Sequence, residues 1–257
     1  MPLLWKTVDK SKLKNRRGEW ELSVVNRLHE ILGKAVDIMV VADRGFGEQR
    51  LFAYLDTIGW SYAIRFKQNI TVTYKGESKP AAEWVPASGH AKMLRDVRIT
   101  QDATAIGAVV LKHQKGMREP WCIATNRPDL GAAEVVSRYA RRFTIEETFR
   151  DIKDNHFGMG LSATHIRSAE RRDRLLFIAA IAQVLLTQLG AAGEACGLDR
   201  ILKSNTVKTR TMSLFNQGTY WYRAIPNMRE ERLRPLMEAF GKIVVTHAAF
   251  KGICGII

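Results

Sequence analysis

Residues 137–153, with the sequence SRYARRFTIEETFRDIK, contain no glycine or proline and predict a helix. At about 100° per residue, four of its side chains would fall on one stripe roughly 60° wide. These four are Tyr139, Arg142, Glu146 and Lys153. Such a stripe could place a metal-binding carboxylate beside groups that hold a phosphodiester. A solvated helix face is the alternative, because Arg142 and Glu146 have the i, i+4 spacing of ordinary surface pairs.

A second stretch places a carboxylate at the end of a predicted strand. Residues 38–42, IMVVA, form a continuous apolar run that is typical of a strand buried on both faces, and Asp43 follows directly. Open α/β sheets carry their active sites at the carboxyl ends of such strands. Asp43 could equally cap a helix that starts near Gly47. Both interpretations stay open on these residues alone.

The order of the predicted elements indicates an α/β protein. Strands are expected at 3–8, 38–42 and 61–66, with helices at 19–32 and 47–59 between them. Short β-rich pieces separated by glycine, proline and polar turns follow at 70–74, 91–99, 108–113 and 121–124. The remainder is predicted to be mainly helical, at about 132–153, 168–190, 196–204 and 228–241.

The charge balance predicts a polyanionic partner. The 257 residues include 40 Lys and Arg against 26 Asp and Glu, which gives a net charge of +14. Binding to phosphates releases counterions, so nucleic acid is the expected partner. A membrane surface is the competing polyanion, but no basic amphipathic helix with an aromatic face stands out. Two basic runs could follow a DNA backbone or be solvated surface: Lys10, Lys12, Lys14, Arg16 and Arg17, and Arg167, Arg171, Arg172 and Arg174.

Hydropathy and cysteine content indicate a cytoplasmic protein. The most apolar stretch, residues 175–189, is interrupted by glutamines, so we predict a buried helix that is too short to span a bilayer. The first twelve residues lack the charged-then-apolar order of a signal peptide. The scattered histidines and the three distant cysteines, Cys122, Cys196 and Cys254, predict neither disulfides nor a zinc site.

The spacing of Tyr139, Arg142, Glu146 and Lys153 resembles the Y-(2)-R-(3)-E-(6)-K signature of bacterial DDE-class insertion-sequence transposases. The resemblance implies an RNase H-like α/β core that is interrupted by a mostly β insertion and followed by C-terminal helices. The expected segments are a truncated core at 1–69, the insertion at 70–131, the helices of the core at 132–192 and a C-terminal helical region at 193–257.

The resemblance also implies a catalytic site. The sequence ADRGFG is similar to the segment that carries the family's second catalytic Asp, so Asp43 takes that role and Glu146 takes the role of the catalytic Glu. These carboxylates would ligate two Mg²⁺ or Mn²⁺ ions, which prefer oxygen ligands. Tyr139, Arg142 and Lys153 would hold DNA phosphates.

Trp121 precedes the glutamate-bearing helix and is a further candidate for DNA binding. In related transposases a tryptophan at this place stacks on a base flipped out of the transposon end. A tryptophan in the core of a strand is the alternative. The implied partners are double-stranded DNA, both the terminal inverted repeats and the target, and a second copy of the chain on that DNA.

The family's first catalytic Asp lies on a first strand that this sequence does not match, and Asp9 follows a later strand. The resemblance therefore implies a chain truncated at its N-terminus, unstable by itself and unable to transpose. The alternative function is a DNA- or transposase-binding remnant that inhibits transposition. A basic RNase H-like nuclease outside transposition is a third hypothesis, although it does not require Tyr139 and Lys153.

Overall fold

The computed structural model describes residues 4–33, 36–153 and 159–247. These residues form two compact units, which we call the sheet unit (4–144) and the helical unit (145–247). One helix, α5 (Phe143–Lys153), begins in the sheet unit and continues into the helical unit.

The sheet unit contains seven strands and four complete helices. The helices are α1 (Lys10–Leu13), α2 (Arg17–Leu32), α3 (Gln49–Thr57) and α4 (Ala132–Ala140). The strands are β1 (Met39–Ala42), β2 (Ser61–Phe66), β3 (Thr71–Tyr74), β4 (Glu77–Pro80), β5 (Lys92–Ile99), β6 (Thr104–Lys112) and β7 (Trp121–Thr125). They form one sheet in the order β1-β2-β7-β6-β5-β3-β4.

The sheet is mixed, and its topology follows from the connections. Helix α3 links β1 to the parallel strand β2, with Val40 opposite Tyr62, because a parallel pair requires a crossover. Strand β7 then pairs antiparallel with β2, with Ile64 opposite Ala124. The β-rich segment predicted from the sequence therefore continues the sheet that β1 and β2 begin.

The sheet is covered by helices on both faces. Successive residues of a strand point to opposite faces, so Ile64 packs in one core cluster and Ala63 in the other. Helices α2 and α3 supply side chains to the first cluster, among them Leu28 and Phe52. Helix α4 supplies Val135, Val136 and Tyr139 to the second. The sheet unit is therefore packed in three layers, with the sheet between two helical layers.

The helical unit is built on α6 (Ala169–Ala195), α7 (Leu214–Ala224) and α8 (Glu230–Thr246). Gly190 and Gly218 let α6 and α7 approach closely, because an added Cβ at Gly218 would lie 1.7 Å from the Leu186 carbonyl oxygen. A small apolar core surrounds this contact and contains Leu189, Ala192, Trp221 and Leu236.

Helix α6 corrects the prediction made for the apolar stretch at 175–189. The helix has 27 residues, and its most apolar window reaches a mean hydropathy of 2.0, which is enough to cross a membrane by length and composition. The core helices of soluble proteins pass the same test, and 39% of this window is buried. The expectation of a helix was confirmed, but the expectation that it is too short was wrong because the helix extends beyond the apolar stretch.

Three further predictions were wrong. Residues 4–8, the described part of the predicted first strand, form no strand, since no neighbouring strand in the described chain pairs with them. Strand β1 is only half-buried because it lies at the edge of the sheet. The helix predicted at 132–153 is interrupted at Arg141 and Arg142, where backbone bonds join residues three apart, as in a 3₁₀ turn.

Most other elements were confirmed. The predicted helices at 19–32, 47–59 and 228–241 correspond to α2, α3 and α8, and the strand at 61–66 matches β2. The region 196–204 contains a 3₁₀ helix at Leu198–Leu202. Helix α1, strand β4 and helix α7 were not predicted. Strand β4, with the sequence ESKP, has neither alternation nor β-branched residues to indicate a strand.

Candidate functional site

Asp43 stands at the carboxyl end of β1, as the sequence predicted. It begins a 3₁₀ turn (Arg44–Phe46), and its Oδ1 accepts a hydrogen bond of 2.6 Å from the backbone nitrogen of Arg44. The predicted alternative was a cap on the helix near Gly47. Helix α3 instead begins after Glu48, so Asp43 caps the short turn and not that helix. Its side chain keeps 44% of its surface exposed.

Arg142 faces this carboxylate. Its Nη1 lies 4.0 Å from Asp43 Oδ2, and only 12% of the arginine side chain is exposed. The arginine sits in the turn between α4 and α5, with its guanidinium 4.8 Å from the Phe143 ring. Two charges this close in a partly desolvated place interact more strongly than they would in water. The pair therefore fixes a cation beside the one carboxylate at the strand end.

Three aromatic rings form the wall behind this pair. Trp121 begins β7 and meets Tyr139 edge-to-face, with ring centroids 5.0 Å apart. The Phe143 ring lies 5.9 Å from Trp121 and is 43% exposed. Tyr139 is fully buried, and burial raises the pKa of its phenol. Trp121 is only half-buried, so it combines core packing with an accessible surface.

An ion network that the sequence did not predict adjoins the Asp43 turn. The Glu119 Oε2 atom accepts from Arg44 Nη1 at 2.8 Å and from Arg65 Nη2 at 2.9 Å. Arg65 also donates to the Pro120 carbonyl oxygen at 3.2 Å. The signal in the sequence was a charged residue inside the apolar strand SYAIRF, since charges are rarely buried unless they are paired. Its partner, 54 positions away, could not be identified from spacing.

A pocket of about 380 Å³ opens beside this network. We call it the Glu119 pocket, and its lining consists of Arg44, Arg65, Phe66, Lys67, Gln68, Asn69 and Glu119. Three cations face one carboxylate in this lining. The pocket is therefore suited to an anion.

Glu146 and Lys153 belong to α5 in the helical unit, whereas Asp43, Trp121, Tyr139 and Arg142 belong to the sheet unit. Glu146 is exposed in the first turn of α5. The Lys153 Nζ atom lies 5.2 Å from the centroid of the Phe149 ring. The structure thus brings together four of the six predicted site residues within one unit.

The two predicted basic runs are partly engaged by local contacts. Arg16 and Arg17 pair with Glu19 and Glu21 on α2, at 2.8 and 2.5 Å. In the second run, Arg172 donates to the Ile166 carbonyl oxygen at 2.8 Å. These side chains are exposed, so both predicted roles, DNA backbone contact and solvated surface, are compatible with their positions.

Asp43 has the chemistry of a ligand for a hard divalent cation, since its carboxylate is partly exposed. The described residues include no group of three or more His, Cys, Asp or Glu side chains that could hold a metal ion. The Asp43 carboxylate is therefore a suitable type of ligand for such an ion, but the described residues do not supply enough ligands for a complete metal site.

Comparison with known proteins places these residues in a family. A family model described as "Transposase DDE domain" matches residues 19–185, about two thirds of the chain. The match covers β1 through most of α6 and includes all six predicted site residues. No curated protein matches the chain.

Proposed function

This chain belongs to the DDE transposase domain family, and on that premise we propose that it binds and processes the DNA ends of an insertion sequence. The observation that carries the proposal is the pairing of Asp43 with Arg142 at the end of a sheet strand. DNA substrates follow from the family. We further propose that the bound DNA is the terminal inverted repeats of the insertion sequence. The protein would bind them as a homodimer.

In this proposal Asp43 and Glu146 are the carboxylates that hold the family's divalent ions, with Mg²⁺ or Mn²⁺ as the expected metal. When bound, such ions activate the attacking oxygen and stabilise the leaving oxygen of a phosphodiester. Asp43 supports the assignment because its carboxylate is partly exposed and the residue begins the 3₁₀ turn. The RNase H-like character of the sheet unit is part of the same proposal.

The other residues would bind the strand being cut. The Arg142 guanidinium, held beside the Asp43 carboxylate, would place a phosphate next to that carboxylate and offset its charge. Lys153 and Tyr139 are proposed as further phosphate contacts. Trp121 is proposed to stack on a flipped base through its accessible face.

DNA binding by these residues is tested with Arg142→Gln in the full chain. We expect fluorescence anisotropy to show about tenfold weaker binding to a labelled duplex, because a phosphate contact is lost. Arg138→Gln is the matched control, since it removes the same charge from an exposed pair with Glu134. Its affinity should change less than about twofold.

Arg142→Lys is a second variant that keeps the positive charge. Thermal unfolding of both Arg142 variants shows whether either of them has a folding defect. A loss of affinity that is equal in Arg142→Gln and Arg138→Gln would contradict the site, because charge and not position would then decide binding. A partial loss in Arg142→Lys would support it, since lysine cannot form the bidentate contact.

A second candidate function is binding to transposon DNA without cleavage. It is favoured by the lack, among the described residues, of a group of three potential metal ligands. The chain would then inhibit transposition by occupying transposon ends or by joining a transposase in inactive oligomers.

A strand-transfer assay with Mg²⁺ or Mn²⁺ separates the two functions. Products made by the wild type but not by Glu146→Ala or Asp43→Asn would establish the enzyme and the two carboxylates together. Specific DNA binding with no product under either metal would support the second candidate.

A further inference from the structure

The Glu119 pocket is already arranged around an anionic oxygen. A single carboxylate oxygen of Glu119 accepts from two guanidinium groups, at 2.8 Å from Arg44 and 2.9 Å from Arg65. Arg44 comes from the turn after β1 and Arg65 from inside β2, so two different elements converge on one atom. Phosphate oxygens are bound by arginine in the same way.

The lining keeps positive charge even with Glu119 in place. Arg44, Arg65 and Lys67 supply three cations against one carboxylate, and Gln68 and Asn69 add neutral amide donors. A phosphodiester carries the same single negative charge as the Glu119 carboxylate, so it can take the place of that carboxylate among these cations. The volume of about 380 Å³ lies in the range of ordinary small-molecule sites, which begins at about 300 Å³.

We propose that the Glu119 pocket binds a backbone phosphate of DNA, and that Glu119 is an internal substitute for this phosphate which DNA displaces. The inference rests on the proposed function, because it takes DNA as the partner. It adds a second phosphate site beside the one proposed at Arg142, together with a residue that lowers DNA affinity until a strand enters.

The exposure of the groups makes the displacement inexpensive. Glu119 is 36% exposed and Arg44 is 51% exposed, so their pair is solvated and contributes little to stability. Arg65 is only 15% exposed and also donates to the Pro120 carbonyl oxygen. It therefore stays in place when the carboxylate leaves. A preorganised cation would remain to receive the phosphate.

The test measures DNA affinity of the full chain by fluorescence anisotropy with a labelled duplex. Glu119→Gln keeps the shape and one acceptor oxygen but removes the competing charge, so we expect about fivefold tighter binding. Glu77→Gln is the matched control, since it removes one carboxylate from an exposed pair with Lys79 on the β3–β4 hairpin. It should change affinity less than about twofold.

Two further variants keep the inference open to failure. Glu119→Ala should also bind more tightly, which covers a folding problem specific to the glutamine. The gain should disappear in the double variant Arg65→Gln, Glu119→Gln, because the receiving cation is gone. Thermal unfolding of each variant verifies that the compared proteins are folded.

Equal affinities of Glu119→Gln and Glu77→Gln would overturn the inference while Arg142→Gln still tests the proposed function separately. Absence of DNA binding by every protein, the wild type included, would overturn both. Inorganic phosphate distinguishes the source of the anion. If Glu119→Gln gains affinity for free phosphate but none for DNA, the pocket is a site for a small anion and the inference fails.

Discussion

The sheet unit and the helical unit differ in the side chains that form their buried interiors. The largest fully buried side chains lie mostly in the sheet unit, where Tyr62, Ile64 and Ile123 are completely enclosed. The helical unit buries Gln183, Gln188 and Gln217 beside its small apolar core. Among the described residues it also carries ten of the fourteen exposed large hydrophobic side chains, and the sheet unit carries four.

The two kinds of interior make the two units sensitive to different substitutions. Strands alternate apolar side chains between two helix-covered faces, so the sheet unit depends on filled volume. The helices α6 and α7 meet through glycines whose backbones touch. The stability of the helical unit therefore depends on there being no side chain at these positions.

The largest effect is expected from removing volume in the sheet unit. Ile123 lies on β7, between β2 and β6, and is fully buried. Ile123→Ala should lower the free energy of unfolding by about 2–5 kcal/mol, because it leaves a cavity. Urea unfolding followed by tryptophan fluorescence measures the loss. Ile31→Ala on α2 is the control, since Ile31 is 56% exposed and should cost less than about 0.5 kcal/mol.

Adding volume should be the damaging change in the helical unit. Gly218→Ala would bring a Cβ to 1.7 Å from the Leu186 carbonyl oxygen, so α6 and α7 must move apart. We expect a loss of about 3 kcal/mol, at the upper end for overpacking. Hydrogen exchange of peptides from 179–193 should detect it. Gly241→Ala is the control, because a Cβ there meets no atom within 4 Å and alanine favours a helix by about 1 kcal/mol.

If Gly218→Ala and Gly241→Ala have equal effects on stability, the contrast between the two units fails. The same holds if Ile123→Ala and Ile31→Ala cost the same.

Much of the sheet unit could be predicted because its signals are local. Runs such as SYAIRF and WCIAT are apolar, β-branched or aromatic, and they lie between turn residues. The edge position of β1 could not be predicted, because an apolar run indicates burial and not the number of neighbouring strands. The interruption at Arg141 and Arg142 was also hidden, since arginine is a good helix former and no glycine or proline marks the turn.

The candidate site was predicted in part for the same reason. Asp43 at a strand end follows from the adjacent apolar run, and the structure confirmed that position. Its contact with Arg142 depends on two elements that are 99 positions apart in sequence, and no periodicity indicates such a contact. The Arg65–Glu119 pair was missed for the same reason.

The hydrogen bonds of Asn126 in the sheet unit test whether apolar packing is the main source of stability of that unit. The Asn126 side chain accepts from the Tyr62 backbone nitrogen at 2.9 Å and donates to the Trp60 carbonyl oxygen at 3.0 Å. Asn126→Ala should cost about 1–2 kcal/mol in urea unfolding, since both backbone groups lose a partner. A cost above that of Ile123→Ala would reverse our interpretation. Asn26→Ala, which changes an exposed asparagine, is the control and should cost less than about 0.5 kcal/mol.

The smallest effect is expected from the ion pair of the helical unit, and it depends on pH. Glu194 on α6 accepts from Arg210 at 2.6 Å through each of its oxygens, and this contact lowers the pKa of the carboxyl group. A lowered pKa means that the charged form stabilises the folded state. The contribution is therefore present above the usual carboxyl pKa, near 4.5, and is lost as the pH falls through the folded value.

Glu194→Gln should accordingly lower the thermal midpoint at pH 7 by the equivalent of about 0.5–1 kcal/mol, a modest value because the Arg210 side chain is 52% exposed. The difference from the wild type should shrink as the pH is lowered from 5 to 3. Glu238→Gln, on the exposed side of α8, controls for the loss of a carboxylate. A difference that stays constant over this range would mean that Glu194 stabilises the unit by accepting a hydrogen bond from Gln217, and not by its charge.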